Sequence, residues 1–266
     1  MTAGQTAGRA ADLAGHLATH LVASRLAGAV ATPAGHCFDN VRRMLAGDPD
    51  HTFGLSGWRG ATVDDAVEAL RACGVTLAED PTALPHVDPA AAVAALDRHR
   101  QGFAAVAAAR GRVLVATGHA FALLPHYQAL ACALEAAGCT VLRTFDSRRA
   151  HFRAADGEPA SIRYFSGVAS VVVHGSIVHT HRASFMEAVL AEAGGRRGVD
   201  AVFADHGFAG AAVEAGVPTY SIADVNDPAL PLAQLQGRTD GVLVIDDGLN
   251  PITYEPLTAA IVGGAS

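Results

Sequence analysis

The sequence predicts an α/β fold: a doubly wound, mainly parallel sheet with helices on both faces, plus an N-terminal helical subdomain. From Arg112 onward, short apolar runs alternate with helical segments, which is typical of buried parallel strands. In the first 110 residues, apolar side chains recur at helical spacing. We therefore expect a helical subdomain over residues 1–110 that roofs the site, and a Rossmann-like α/β domain over residues 111–266.

The helical part carries start and stop signals for its predicted helices. Thr62 begins one helix that Gly74 ends. Asp88 and Pro89 begin another, because proline in the first turn loses no hydrogen bond. The predicted helices cover residues 11–29, 37–45, 62–74 and 88–109.

In the second part, strand-like runs are mostly separated by helical segments. The predicted strands cover residues 112–116, 139–143, 162–165, 169–173, 176–179, 200–203, 217–222 and 241–245. The predicted helices cover residues 120–138, 183–193, 208–215, 229–236 and 254–262. Because three consecutive strands have no helix between them, we expect a hairpin insertion near 161–179.

Composition excludes several classes of function. The net charge is −7, from 19 basic and 26 acidic residues, so neither a nucleic-acid polymer nor an anionic membrane is an expected partner. No apolar run approaches the ~20 residues of a membrane span. The N-terminus has no secretory signal pattern and the 4 cysteines have no C-x-x-C spacing, so we expect a cytoplasmic protein. A homo-oligomer is compatible with these features.

Polar side chains collect where the predicted strands end. In open α/β sheets, ligands bind in the crevice at the carboxyl ends of the strands. The residues before the strands are mostly Gly, Ala, Arg, Cys and Val. The residues after them are His119; His179 and His181; Asp205 and His206; Asp224, Asn226 and Asp227; Asp246 and Asp247. This asymmetry predicts a site at the carboxyl edge.

Each strand end also has a structural interpretation. The two imidazoles of His179-Thr-His181 share one face at strand spacing and suit a common cation, although this pattern often arises by chance. Asp205 is consistent with a helix cap as well as with a ligand. Asp227 before Pro228 is typical of a capped helix, and Asp246-Asp247 is more often a solvated turn than a site.

Other candidates lie beside the strand ends. Gly118 and Gly207 belong to turns that suit an anion, although the dinucleotide pattern G-x-G-x-x-G is absent. His126, one turn into the next helix, is equally consistent with the pocket and with packing. Asn40 is an ordinary helix-surface residue unless the helical subdomain roofs the crevice. Seven other histidines are assigned to surface or structure: His16, His20, His51, His86, His99, His151, and His174 in the hairpin.

The donor types at this edge indicate metal chemistry. Imidazoles and carboxylates from several strands are ligands for Mg²⁺, Mn²⁺ or Zn²⁺, and glycine turns suit an oxyanion. No serine or cysteine stands in a nucleophile-elbow motif. A cation beside an anion site therefore predicts hydrolysis by metal-activated water.

A series of motifs resembles a known family. They are Val-Leu-Val-Ala-Thr-Gly-His at 113–119, Leu-Leu-Pro-His-Tyr at 123–127, His-Thr-His at 179–181, Ala-Asp-His-Gly-Phe-Ala-Gly at 204–210 and Ala-Asp-Val-Asn-Asp-Pro at 223–228. The series resembles actinobacterial proteins called simply phosphatase, which implies a metal-dependent phosphomonoesterase. The chain departs at Ala120-Phe121-Ala122, where the family has Pro and Gly, which implies a changed substrate of a biosynthetic pathway.

We therefore predict a metal-dependent phosphatase that hydrolyses a phosphomonoester of a small metabolite, either a sugar phosphate or a nucleotide-like compound. The predicted residues are His119, Asp205 and His206 for catalysis; His179, His181, Asp205 and Asp224 for the metal; and Asn40, Gly118, His126, Gly207 and Asn226 for phosphate or substrate. Two alternatives stay open. One is a metal-dependent sugar-phosphate isomerase or lyase that stabilises an enediolate, and the other is a non-catalytic anion-binding protein.

Overall fold

The computed structural model describes residues 3–145, 152–154 and 157–263, with side chains described from residue 12 onward. His151, predicted to be structural, lies outside the described residues. The helices are α1 (Ala3–Ala23), α2 (Ala34–Leu45), α3 (Pro49–Thr52), α4 (Val63–Ala72), α5 (Pro89–Ala108), α6 (Ala120–Ala136), α7 (Ser184–Ala193), α8 (His206–Glu214), α9 (Ala229–Leu235) and α10 (Glu255–Val262). Short 3₁₀ helices cover Gly195–Arg197 and Pro251–Tyr254.

The strands of the described chain form two sheets. They are β1 (Gly28–Ala29), β2 (Val75–Thr76), β3 (His86–Val87), β4 (Arg112–Ala116), β5 (Thr140–Val141), β6 (Phe152–Arg153), β7 (Pro159–Phe165), β8 (Val168–Val173), β9 (Ser176–Ile177), β10 (Ala201–Asp205), β11 (Thr219–Ala223) and β12 (Gly241–Val244). The small sheet has the order β1-β3-β2, and the 9-stranded sheet has the order β12-β11-β10-β4-β8-β7-β6, with β5 on β4 and β9 on β8.

The large sheet is mixed. Strands β12, β11, β10, β4 and β8 run parallel in that order, and β5 is also parallel to β4. Strands β6, β7 and β9 are antiparallel to their neighbours. The predicted hairpin is therefore present, and His174 lies in its turn before Gly175 with a φ of 50°. Since β4, β10, β11 and β12 are parallel, the residues after them meet at one edge.

The helix starts follow the local sequence. Thr62 and Asp65 form a capping box on α4, and the Asp88 carboxylate accepts the Ala90 N–H at 2.9 Å before α5. Helix α6 packs on β4, β5 and β8, whereas α8 packs on β10 and β11. None of the described helices is long and apolar enough to cross a bilayer.

The N-terminal part departs from the all-helical prediction. It contains the small antiparallel sheet, and the first helix ends at Ala23 instead of continuing to residue 29. Arg25 and Gly28 have positive φ angles of 64° and 76°, which a helix cannot contain. Strands of two residues leave no period in the sequence, so periodicity could not detect them. The division at residue 110 stays a prediction.

Candidate active site

Asp205, the last residue of β10, holds the turn after β4. Its side chain is 0% exposed. Oδ2 accepts from the Thr117 hydroxyl at 2.5 Å, while Oδ1 accepts the N–H groups of Gly118 at 2.6 Å and His119 at 3.2 Å. The carboxylate makes no side-chain cap on α8, so the capping interpretation is not observed. Asp205 thus ties the ends of two neighbouring strands together.

His206 begins α8 in the left-handed region, with a φ of 45°. Its Nδ1 donates to Asp205 Oδ1 at 2.9 Å, and its Nε2 lies 3.4 Å from Asp227 Oδ2 and 3.5 Å from Asp247 Oδ2. Burial alone would lower the pKa of His206, but these carboxylates raise it to about 10. A non-glycine residue held in this conformation inside a polar site is typical of functional strain.

Four imidazoles meet at this edge, and we call His119, His179, His181 and His206 the histidine cluster. The His119 and His179 rings stack with centroids 4.4 Å apart, and the His181 and His206 rings stack at 4.5 Å. The centroids of His179 and His206 are 5.1 Å apart. The cluster combines β4, β10 and the segment after β9, as their strand-end positions predicted.

His179 and His181 face each other through their Nε2 atoms, which are 2.9 Å apart. His181 Nδ1 donates to the Asp50 carbonyl at 2.7 Å, which leaves its Nε2 with a lone pair. Burial, followed by the charge of His206, lowers the pKa of His179 to about 4 and that of His181 to about 3. Both rings are therefore neutral at pH 7 and able to donate electron pairs.

Three carboxylates complete the site. Asp224 Oδ1 and Asp247 Oδ2 are buried without a hydrogen bond, although Asp247 Oδ2 lies 3.2 Å from His119 Nδ1. Burial, reinforced by Asp247 and Asp227, raises the pKa of Asp224 well above its usual value, and burial raises that of Asp227 to about 7. Burial would also raise the pKa of Asp247, but His119 and His206 lower it. Negative charge is thus crowded beside the histidine cluster.

Asn226 and Asn40 lie next to these carboxylates. The Asn226 amide donates to Asp224 Oδ2 at 2.5 Å. The Asn40 amide donates to the Asn226 carbonyl at 3.0 Å and to its Oδ1 at 2.9 Å. Helix α2 therefore reaches the site through Asn40, which a helical segment roofing the crevice would require.

Gly118 and Gly207 pack against the backbone of the segment that carries His179 and His181. A Cβ at Gly118 would lie 2.2 Å from the Thr180 carbonyl oxygen, and one at Gly207 would lie 2.1 Å from that of His181. Any side chain at either position would push this segment away. The structure thus explains both glycines by close packing, and their predicted phosphate contacts stay predictions.

His126 does not join the histidine cluster. Its Nδ1 contacts the Thr258 hydroxyl of α10 at 2.7 Å, and its ring contacts that of Tyr127. Burial lowers its pKa to about 3. Of the two interpretations of His126, these contacts match packing, so its predicted contact with substrate has no support among them.

Sequence reasoning missed part of the site. Asp247 was assigned to a solvated turn, but it is only 4% exposed and contacts two cluster histidines. Asp227 was assigned to a helix cap, yet Pro228 holds the cap position of α9 without a side-chain hydrogen bond. His51 and Phe53 place their rings against His181. For the two aspartates, their position after buried strands was the available signal.

The donor atoms are close enough to hold a cation. The ligand atoms of His119, His179 and His206 lie within 4.8 Å of one another, and so do those of His206, Asp227 and Asp247. His179 is the exposed member of the first group, whereas the second group is buried. The site is therefore accessible from the His179 side.

Fold and site together define an α/β protein with a histidine- and carboxylate-lined site at the carboxyl edge of its sheet. The Phosphatase family model matches residues 13–266, and the chain belongs to that family. It is 36% identical to Phosphatase SCO2771 of Streptomyces coelicolor over 247 residues, which are 90% of this chain and 91% of that protein. No solved structure matches it. The resemblance to an actinobacterial phosphatase family is confirmed.

Proposed function

We propose that the protein hydrolyses a phosphomonoester of a small metabolite with the help of a divalent cation at the histidine cluster. The observation that carries this proposal is the convergence of four imidazoles with the carboxylates: the ligand atoms of His119, His179 and His206, and those of His206, Asp227 and Asp247, lie within 4.8 Å of one another. Membership of the phosphatase family favours hydrolysis over the isomerase, lyase and binding alternatives.

The residues fit a cation such as Mg²⁺, Mn²⁺ or Zn²⁺. Buried polar atoms without partners, such as Asp224 Oδ1, are costly unless a further group satisfies them. Histidine ligands commonly donate their second ring nitrogen to a carbonyl or carboxylate, as His181 does here to the Asp50 carbonyl. When bound, the cation supplies Lewis acidity toward phosphoryl oxygens and water.

In this proposal His179, His181, Asp224 and Asp247 hold the cation. Asp205 is removed from the predicted metal ligands, because both of its oxygens already accept hydrogen bonds. Its role is to orient His206 through Nδ1. His119 is the general acid for the leaving oxygen, since its ring stacks on the exposed His179 and its Nδ1 faces Asp247. Asn226 and Asn40 are candidate phosphate contacts.

A nucleotide-like substrate is favoured over a bare sugar phosphate by one side chain. Phe121, in the first turn of α6 and two residues after His119, is 78% exposed. An exposed aromatic ring beside a site can stack on a planar group of a ligand.

The test is phosphate release from aryl, sugar and nucleoside phosphates, with the protein stripped by a chelator and then supplied with each cation. We expect chelation to abolish release and one cation to restore it. His181→Ala should lower kcat by about 10²-fold or more. His86→Ala, an exposed histidine on β3, should leave kcat unchanged. Full turnover by a preparation shown to be metal-free by elemental analysis would refute the proposal.

A further inference from the structure

Asp50 contacts the histidine cluster through its backbone and contacts Arg182, the neighbour of His181, through its side chain. Its carbonyl oxygen accepts from His181 Nδ1 at 2.7 Å. Its carboxylate Oδ1 lies 2.7 Å from Arg182 Nε, and the two side chains are 33% and 32% exposed. Asp50 and Arg182 therefore pair beside the peptide that follows His181.

The hydrogen bond to Asp50 decides which nitrogen of His181 is bare. Because Nδ1 donates to the carbonyl, Nε2 keeps its lone pair and points toward His179 Nε2, 2.9 Å away. The His181 ring also stacks on that of His206. A shift of the Asp50 carbonyl would consequently rotate or release a ring at the centre of the cluster.

The short helix α3 that contains Asp50 is itself fixed on the site. Asp48 caps it by accepting the Asp50 N–H at 3.0 Å. Phe53, which follows with a φ of 52°, contacts the His181 ring at 5.3 Å and the His206 ring at 5.4 Å. The N-terminal part of the chain thus forms one wall of the cluster.

We infer that the Asp50–Arg182 ion pair is a positioning device that holds His181 in its cation-binding orientation, an inference that rests on the proposed function. A part-exposed ion pair adds little to folding stability, so a purely structural pair would leave cation binding unchanged. Groups that orient a metal ligand change metal affinity by about 10–100-fold when they are removed.

The experiment compares Arg182→Gln with a matched control, Arg238→Gln. Arg238 pairs with Glu214 at 2.6 Å, and the two side chains are 26% and 35% exposed. Arg238 lines a cavity just before β12, at the opposite end of that strand from the site, so it serves as a control remote from the cluster. Affinity for Mn²⁺ and Zn²⁺ is measured calorimetrically on metal-free protein, together with the melting temperature. We expect Arg182→Gln to weaken cation binding by about 10–100-fold. Arg238→Gln should bind like the parent, and the two variants should melt alike.

Two further variants sharpen the result. Arg182→Lys, which can still pair with Asp50, should recover part of the affinity, and Asp50→Asn should lose affinity although it retains the carbonyl. Parent-like cation binding by Arg182→Gln would overturn the inference and leave the proposed function intact. Unchanged cation binding with a raised KM would instead make Arg182 a substrate contact. If the parent itself bound no cation, both the inference and the proposed function would be wrong.

Discussion

Two kinds of histidine environment occur among the described residues. His99 and His126 each sit apart from the cluster: His99 Nε2 contacts the Gly241 carbonyl at 2.8 Å, and His126 Nδ1 contacts the Thr258 hydroxyl at 2.7 Å. In the histidine cluster, by contrast, ring nitrogens face other ring nitrogens and carboxylates. The first kind is satisfied by a neutral oxygen, whereas the second leaves atoms that need another partner.

Burial alone does not separate the two kinds. It lowers the pKa of His99 to about 4 and that of His126 to about 3, and the same values are found for His179 and His181. The difference lies in the partners, since an Nε2 facing another Nε2 at 2.9 Å needs a shared proton or a cation. A perturbed pKa is therefore informative about function only together with the contacts that surround it.

The largest effect is expected when a carboxylate that faces the histidine cluster is removed. Asp247→Asn removes the carboxylate that faces both His119 and His206. We expect kcat to fall by about 10²-fold or more, because a positioned acid–base pair and a cation donor are lost together. Asp246→Asn is the matched control. Asp246 is the neighbour of Asp247 in the chain, and its own carboxylate accepts the Gly248 N–H at 3.0 Å and holds the turn.

Steady-state kinetics at a saturating cation concentration measures both variants. Asp246→Asn should keep kcat within about 3-fold of the parent, since asparagine supports the same turn. Equal losses in the two variants would mean that the turn, and not Asp247 itself, matters for activity. Asp247 would then be a structural residue, as its sequence pattern suggested.

Much of the framework follows from sequence, because local rules determine it. The strand at 112–116 was predicted with its observed bounds, since a short apolar run between glycines has few alternatives. The caps at Thr62 and Asp88 were predicted for the same reason. The edge at which the donors meet also followed, because parallel strands end together.

The remaining parts depend on contacts between distant segments. Asp50 and Phe53 reach His181 across about 130 positions, and no period or motif marks them. Asp247 looked like a solvated turn because its burial is produced by elements that pack around it. The glycines at 118 and 207 have the protein's own backbone as their close neighbour, which no local pattern could reveal, and their predicted phosphate contacts stay predictions.

On the isolated histidines, pH is expected to affect stability and not activity. The pKa of His99 falls to about 4 on folding, mainly through burial, from about 6.5 in the unfolded chain. Its contribution to stability is therefore complete above about pH 6.5 and is lost as the pH falls toward about 4. His99→Gln cannot titrate, so between about pH 7 and pH 4 it should lose about 3 kcal/mol less unfolding free energy than the parent.

Urea unfolding of the two proteins across this pH range measures the difference. His179 and His181 also have lowered pKa values, but they are present in both proteins and cancel in the comparison. Parallel pH profiles would show that His99 is not held neutral by burial. His99 would then no longer be an example of a histidine that burial keeps neutral.

The smallest effect on activity is expected at His126. The Thr258 hydroxyl donates to the Tyr254 carbonyl at 2.9 Å, so it accepts from His126 Nδ1. Thr258→Val has nearly the same shape and removes this acceptor, which should cost about 1–3 kcal/mol of stability, as for other buried donors left unpaired.

The same variant should leave activity nearly unchanged. Because this hydrogen bond joins His126 to α10 and not to the histidine cluster, kcat and KM should stay within about 2-fold of the parent at 25 °C, where the variant remains folded. Thermal melting and steady-state kinetics on the same preparation separate the two quantities. A KM that rises several-fold while the melting temperature stays constant would restore His126 to the substrate contacts and would place its ring in the same functional group as the cluster histidines.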